Sequence, residues 1–192
     1  MAEEVLEERQ EVGEDAASSE ERERRDAAMA RIRKLGDPVL RTRALEVATF
    51  DSRLREEVDW MRAIMDGALG VGLAATQVGT LARLLVYRVE PESPIIAVIN
   101  PHVEWCSEET ETMEEGCLSI PGIRVDVERP LHVRVAYVDE YGEPARVEAS
   151  GLEARVLAHE IDHLDGVVML DRADRAQRRE AMRAWRELQR GE

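Results

Sequence analysis

The stretch AHEIDHLDG, residues 158–166, carries two histidines four positions apart with a glutamate directly after the first. On a helix, positions i and i+4 project from one face about a turn apart. His159 and His163 can therefore hold one metal ion, and Glu160 beside the first of them can take a proton from a water that the ion activates. Leu152, Val156, His159, Glu160 and His163 also fall near one another at helical spacing. This predicts a helix opened by Ser150 or Gly151, running through about Leu164 and closed by Gly166. The same residues fit a solvated surface helix with satisfied histidines, so a third ligand and a place for substrate have to come from elsewhere.

Working outward, Asp51 is a candidate N-cap for a helix over 51–66, in which Leu54, Val58, Met61 and Met65 recur at three or four. A glycine-rich stretch, GALGVGLAATQVG, follows. Strand-like segments come next, RLLVYRV (83–89) and IIAVIN (95–100), the second expected to stop at Pro101. LHVRVAYVD (131–139) alternates, and YGEP turns it into ARVEA, a hairpin. A last helix is expected over about 171–190. Helices and antiparallel strands in separate runs indicate an α+β fold, with antiparallel sheets packed around a central helix that carries HEIDH, and a C-terminal helix.

The chain has 192 residues, enough for one domain with a sizeable core. Acidic side chains number 41 against 26 basic, a net charge of -15, which disfavours general binding to DNA or to a membrane surface, both anionic. No apolar run approaches the roughly 18–20 residues of a membrane span, and the first residues resemble neither a signal nor a transit peptide, so a cytoplasmic location is expected. Residues 1–28 hold eleven acidic and four basic residues. They are expected to be a disordered or loosely helical acidic extension ahead of a single catalytic domain at 29–192, with Met29 a candidate start. Two cysteines, Cys106 and Cys117, do not make a disulfide framework.

A catalytic metal normally has three protein ligands and an open position. The long zinc-protease signature would need a histidine where Met169 stands. Another protease class takes a glutamate from a later helix, for which Glu187 or Glu180 is available. The remaining donor type is a thiolate. Cys117 lies in EEGCLSIPG, between an extended acidic segment and a proline turn. Cys106, in VEWCSEE, has no turn to aim it and is expected to be small buried core.

Three stretches in order, GVGLAATQ (70–77), EGCLS (115–119) and HEIDH (159–163), resemble the peptide deformylase family in its compact bacterial form. The resemblance covers residue 29 to at least 170, and the acidic extension is its main departure. It implies removal of the formyl group from N-formylmethionine on newly made proteins. It implies iron(II) as the natural metal, with Zn2+, Ni2+ or Co2+ able to substitute, held by Cys117, His159 and His163. Glu160 would accept a proton from water and return it to the leaving amine. The metal, the Gln77 side-chain amide and the Leu118 backbone N–H would stabilise the tetrahedral oxyanion. Thiolate ligation suits a soft or borderline ion and exposes the site to oxidation.

Gly70 and Gly72 would let a peptide approach the backbone and pair with it as a strand, with Val71, Gly72 and Glu115 lining the methionine end. Arg155, one turn before His159, either walls that pocket with its stem or pairs with an acid. GVGLAA also matches a relaxed dinucleotide fingerprint with Glu90 as the ribose acid, but that motif needs a preceding strand and a helix is expected there. Arg172, Arg175, Arg179, Arg183, Arg186 and Arg190 draw a basic stripe on the last helix, with Ala181, Trp185 and Leu188 able to pack inward. The stripe is either a solvated face or, as the family's C-terminal helix suggests, a ribosome-docking surface. Two other functions stay open on the residues alone: a metalloendopeptidase using Glu187, and a metal-stabilised binding module without catalysis.

Overall fold

The computed structural model describes residues 19–191. A five-stranded sheet, in the order β1-β2-β3-β6-β7, is antiparallel throughout, and a separate two-stranded sheet pairs β4 with β5. The strands are β1 (Gly72–Ala74), β2 (Leu84–Tyr87), β3 (Ile96–Cys106), β4 (Thr110–Gly116), β5 (Arg124–Pro130), β6 (His132–Val138) and β7 (Pro144–Ser150). The helices are α1 (residues 19–29), α2 (Ser52–Gly67), α3 (Leu152–Leu164), α4 (Met169–Arg172) and α5 (Arg175–Gly191). The α+β expectation is met.

Alternation along β1 and β2 sorts side chains to two sides of the larger sheet. Leu73, Leu84 and Val86 pack with Val58, Met61 and Met65 of α2, while Ala74, Leu85 and Tyr87 pack with Leu157, Ile161 and Leu164 of α3. Both faces are covered, so every residue of β2 is buried and the strand reads as a continuous apolar run. A third cluster joins Val125 and Val127 of β5 to Met169, Leu170, Ala181 and Trp185. The central helix α3 lies between the two sheets. Almost all of it beyond its first turn is buried, including its charged residues.

Local chemistry sets the ends of the two long central helices. The Asp51 carboxylate accepts from Leu54 N at 3.1 Å and caps α2, as expected. Gly166 follows α3 with φ +75°, and a Cβ there would lie 2.8 Å from the Arg41 carbonyl oxygen, so only glycine fits.

Several expectations need correction. β3 does not stop at Pro101. Asn100 takes φ +53° and exchanges two hydrogen bonds with the Val47 backbone, at 2.8 and 2.9 Å, and the register shifts between Ile99 and His102. Proline is tolerated at such a bulge. Cys106 is exposed rather than core, because it ends a strand whose outer half is uncovered. The C-terminal helix is two helices, α4 and α5, broken at extended Ala173. Leu188 is 47% exposed, although Ala181 and Trp185 pack inward as expected. Of the extension at 1–28 read as disordered or loosely helical, residues 19–28 are helical and Ala28 is buried against the body, while residues 1–18 lie outside the described residues.

Asp171 locks the exit from α3. Its carboxylate accepts from Val168 N at 3.0 Å, pairs with Arg41 and lies 3.2 Å from Arg178. Burial pushes its pKa up, but the Arg41 bond and the Val168 N–H outweigh this and hold it below the usual carboxylate range. A depressed folded pKa gives stability that is present above the unfolded value, about 3.9, and lost as pH falls through the folded one. Asp171→Asn should therefore flatten the loss of stability below about pH 4 in denaturant titrations. An unchanged slope would remove Asp171 from that acid sensitivity.

Candidate metal centre and active site

His159 and His163 stand one turn apart on α3, and Cys117 directly follows β4. Their donor atoms lie within 4.8 Å of one another, the group of potential metal-holding side chains found among the described residues. Cys117 Sγ is 3.2 Å from His163 Nε2, and the two imidazole rings are 5.0 Å apart at their centroids and tilted by 72°. Glu180 and Glu187, the alternative third donors, sit on the exposed surface of α5.

Glu115 orients the centre. It is buried, and its carboxylate accepts from Arg129 at 2.9 and 3.0 Å, from Arg155 at 2.8 Å and from His159 Nδ1 at 2.9 Å. Burial opposes its charge, but the His159 and Arg129 bonds win and its pKa falls to about 2. An ionised carboxylate only accepts, so His159 carries its proton on Nδ1 and presents Nε2 to the centre. Arg129 also donates to Asp162 at 2.5 Å, and Asp162 receives Arg172 at 2.5 and 3.0 Å. This buried chain of charges ties β4, β5, α3 and α4 together.

Burial alone would push the Cys117 thiol up, but His163 and His159 outweigh it and hold the thiol well below its ordinary range. His159 is raised well above its ordinary value: burial works against the charge, and the Cys117 and Glu115 bonds overcome it. A cation bound here would compete with protons for the thiol and the ring nitrogens. One sulfur and two ring nitrogens this close fit a borderline divalent ion.

Glu160 is buried, its Oε2 has no hydrogen-bond partner among the described residues, and burial raises its pKa. It lies under Gly72, where a Cβ would come within 2.5 Å of its Oε1. Glycine at 72 is thus required by the carboxylate beneath it as well as by any peptide above. Gln77 Oε1 accepts from Ala74 N at 2.8 Å, which turns its Nε2 toward Cys117 Sγ (3.5 Å) and Ser119 Oγ (3.2 Å). Leu118 is half-buried, with its carbonyl 3.3 Å from Lys34 Nζ.

A cleft of about 470 Å³ opens over these groups, and Val71, Gly72, Gln77, Glu115, Cys117, Leu118, Arg155, His159 and Glu160 all reach its lining. Arg155 pairs with an acid, Glu115, donates to Val127 O and Glu111 O as well, and lines the cleft. Arg129, Asp162, Ser119 and Lys34 escaped the sequence reading. Arg129 was within reach of it: RVDVER alternates, and Arg129 shares the buried face of Val125 and Val127.

A cysteine sulfur and two imidazoles close enough to hold one ion, beside a buried carboxylate at an open cleft in this α+β frame, are the arrangement of a hydrolase with a candidate metal centre. The comparisons make the class specific. The polypeptide deformylase model matches residues 29–179, and the chain belongs to that family. It is 43% identical over 159 residues to a peptide deformylase of Picosynechococcus, covering 81% of this chain and 85% of the relative. It is 47% identical over 158 residues to one from Parafrankia, covering 82% and 86%. The crystal structure of a peptide deformylase from Synechococcus elongatus in complex with actinonin superposes with TM-score 0.77 at 43% identity, covering 80% of this chain and 85% of that one.

Glu115→Ala leaves two buried guanidiniums short of a partner and frees the His159 ring. Denaturant unfolding should show a loss of about 3 kcal/mol, the low end for a broken buried pair because Arg129 keeps Asp162. A loss below about 1 kcal/mol, the worth of a surface pair, would remove Glu115 from its central place.

Proposed function

We propose that this protein removes the formyl group from the N-terminal formylmethionine of newly made polypeptides, using a divalent ion held by Cys117, His159 and His163. The observation that carries the reading is the convergence of three donor atoms within 4.8 Å beside a buried carboxylate with an unpartnered oxygen. Iron(II) is the ion we assign, with Zn2+, Ni2+ or Co2+ as substitutes, because thiolate and imidazole suit soft or borderline ions. When bound, the ion supplies Lewis-acid chemistry, lowering the pKa of water and polarising the formyl carbonyl.

Glu160 takes the water proton and later delivers it to the departing amine, a task matched by its raised pKa. Gln77 Nε2 and the Leu118 backbone N–H donate to the developing oxyanion, and Lys34 steadies the Leu118 peptide through its carbonyl. Gly70, Val71 and Gly72 present backbone to an extended peptide. Val71, Gly72, Glu115 and the Arg155 stem wall the methionine side chain, Glu115 chiefly by fixing Arg155 and His159. Residues 29–192 form the catalytic domain in this reading. No helix among the described residues is long and apolar enough to cross a membrane, in keeping with a cytoplasmic enzyme meeting nascent chains.

Protein handled without oxygen should bind about one equivalent of metal and hydrolyse formyl-Met-Ala. Glu160→Ala should keep the metal and lose at least about 100-fold in turnover, whereas Cys117→Ala should lose the metal itself. Metal retained by Cys117→Ala, or full turnover by Glu160→Ala, would sink the assignment.

The stripe on α5 supports a second contact. Arg175, Arg179, Arg183, Arg186 and Arg190 are exposed, and none forms an ion pair among the described residues, whereas Arg172 is committed to Asp162. We assign the stripe to ribosomal RNA beside the emerging peptide, because a run of free guanidiniums neutralises phosphates. Co-sedimentation with ribosomes should fall with salt and disappear on charge reversal of Arg175, Arg179 and Arg183. Undiminished co-sedimentation of that variant would exclude the stripe.

A further inference from the structure

All of helix α1 but its last residue lies ahead of the matched family segment, yet it helps build the cleft: Arg25 and Met29 line it together with Leu69, Gly70, Val71 and Leu118. The helix is anchored. Ala28 is buried against α2, where a Cβ on Gly67 would lie 3.1 Å from its own Cβ. Arg24 pairs with Asp66, which also receives Arg88 at 2.7 Å, and Lys34 ties the Met29 carbonyl, at 3.0 Å, to the Leu118 carbonyl. Arg25 is therefore held at the cleft by a docked helix.

Arg25 is exposed and makes no ion pair among the described residues. The other guanidiniums lining the cleft are committed, Arg124 to Glu114 at 3.3 Å and Arg155 to Glu115 at 2.8 Å. Position along the cleft follows from the two glycines. Gly72 lies directly over Glu160, whereas a Cβ on Gly70 would strike the Leu118 side chain at 2.9 Å. A peptide paired along 70–72 with its formyl end over Gly72 advances roughly 3.3 Å per residue. Two residues past the methionine it reaches Gly70 and Leu69, which share the cleft lining with Arg25 and Met29 of α1.

We propose that Arg25 is a specificity-determining residue, pairing with an acidic side chain at the third position of the formylated peptide. The inference rests on the deformylase reading. The acidic extension thus adds a cationic subsite to a cleft whose other guanidiniums are already paired, and the helix that carries it belongs to the cleft wall.

The test uses the full chain, loaded with metal, and three amidated peptides, formyl-Met-Ala-Glu, formyl-Met-Ala-Gln and formyl-Met-Ala-Lys, so that no terminal carboxylate competes. The natural chain should favour Glu over the isosteric Gln by about two- to fivefold in kcat/KM, the size an exposed ion pair supports, with Lys disfavoured. The preference should reside in KM and shrink with salt. Arg25→Ala should bring the three rates together and Arg25→Glu should favour Lys. Ratios measured on one preparation are independent of how much enzyme is active. Equal rates for the three peptides with the natural chain, or a Glu preference that survives in Arg25→Ala, overturn the proposal. Failure of the natural chain to hydrolyse formyl-Met-Ala, which ends short of Arg25, would count instead against the deformylase reading.

Discussion

One carboxylate, that of Glu115, holds the structure in the form its chemistry needs. It is two residues from Cys117 in the chain and 2.9 Å from His159 in space, so it links the strand that delivers the sulfur to the helix that delivers the nitrogens. The bonds from His159 and Arg129 keep it ionised inside the protein, and Arg155 donates to it as well. A buried charge group of this kind contributes little net stability over an apolar replacement. Its use is geometric, because it fixes which His159 nitrogen carries hydrogen and where the other one points.

The same logic explains why α3 is so deeply buried. A catalytic carboxylate works near neutral pH when its surroundings disfavour charge, and two imidazoles bind one ion when their rings cannot wander. The five-stranded sheet on one side and the β4–β5 pair on the other supply both conditions, leaving the cleft as the way in. Glycine at 72 lets backbone lie on the Glu160 carboxylate, so the wall of the cleft also encloses the acid beneath it.

The parts of the molecule most legible in the sequence were those where one physical pattern acts alone. The i, i+4 histidines, the Asp51 cap, the alternation of β6 and the Gly166 terminus all need only local rules. The failures came where partners distant in the chain decide. Pro101 did not end β3, because the Asn100 side chain bridges to Val47 and makes a bulge. Cys106 looked like core from its residue type, but exposure depends on what covers the outer half of that strand. The short β1 was hidden among glycines, since its strand character comes from pairing with β2. Asp162 carries no local signal, and only the meeting of β5 with α3 pairs it with Arg129. The motif residues themselves were visible, whereas the groups that aim them were not.

The sulfur donor travels on a two-stranded ribbon that shares no backbone ladder with the larger sheet. What holds the ribbon beside α3 is a set of side-chain bonds, Glu115 to Arg155 and His159 and Arg129 to Asp162, together with the apolar packing of Val125 and Val127 against α4 and α5. The spacing of the Cys117 sulfur from the two imidazoles is therefore set at that seam, and not by the hydrogen-bond ladder of the larger sheet.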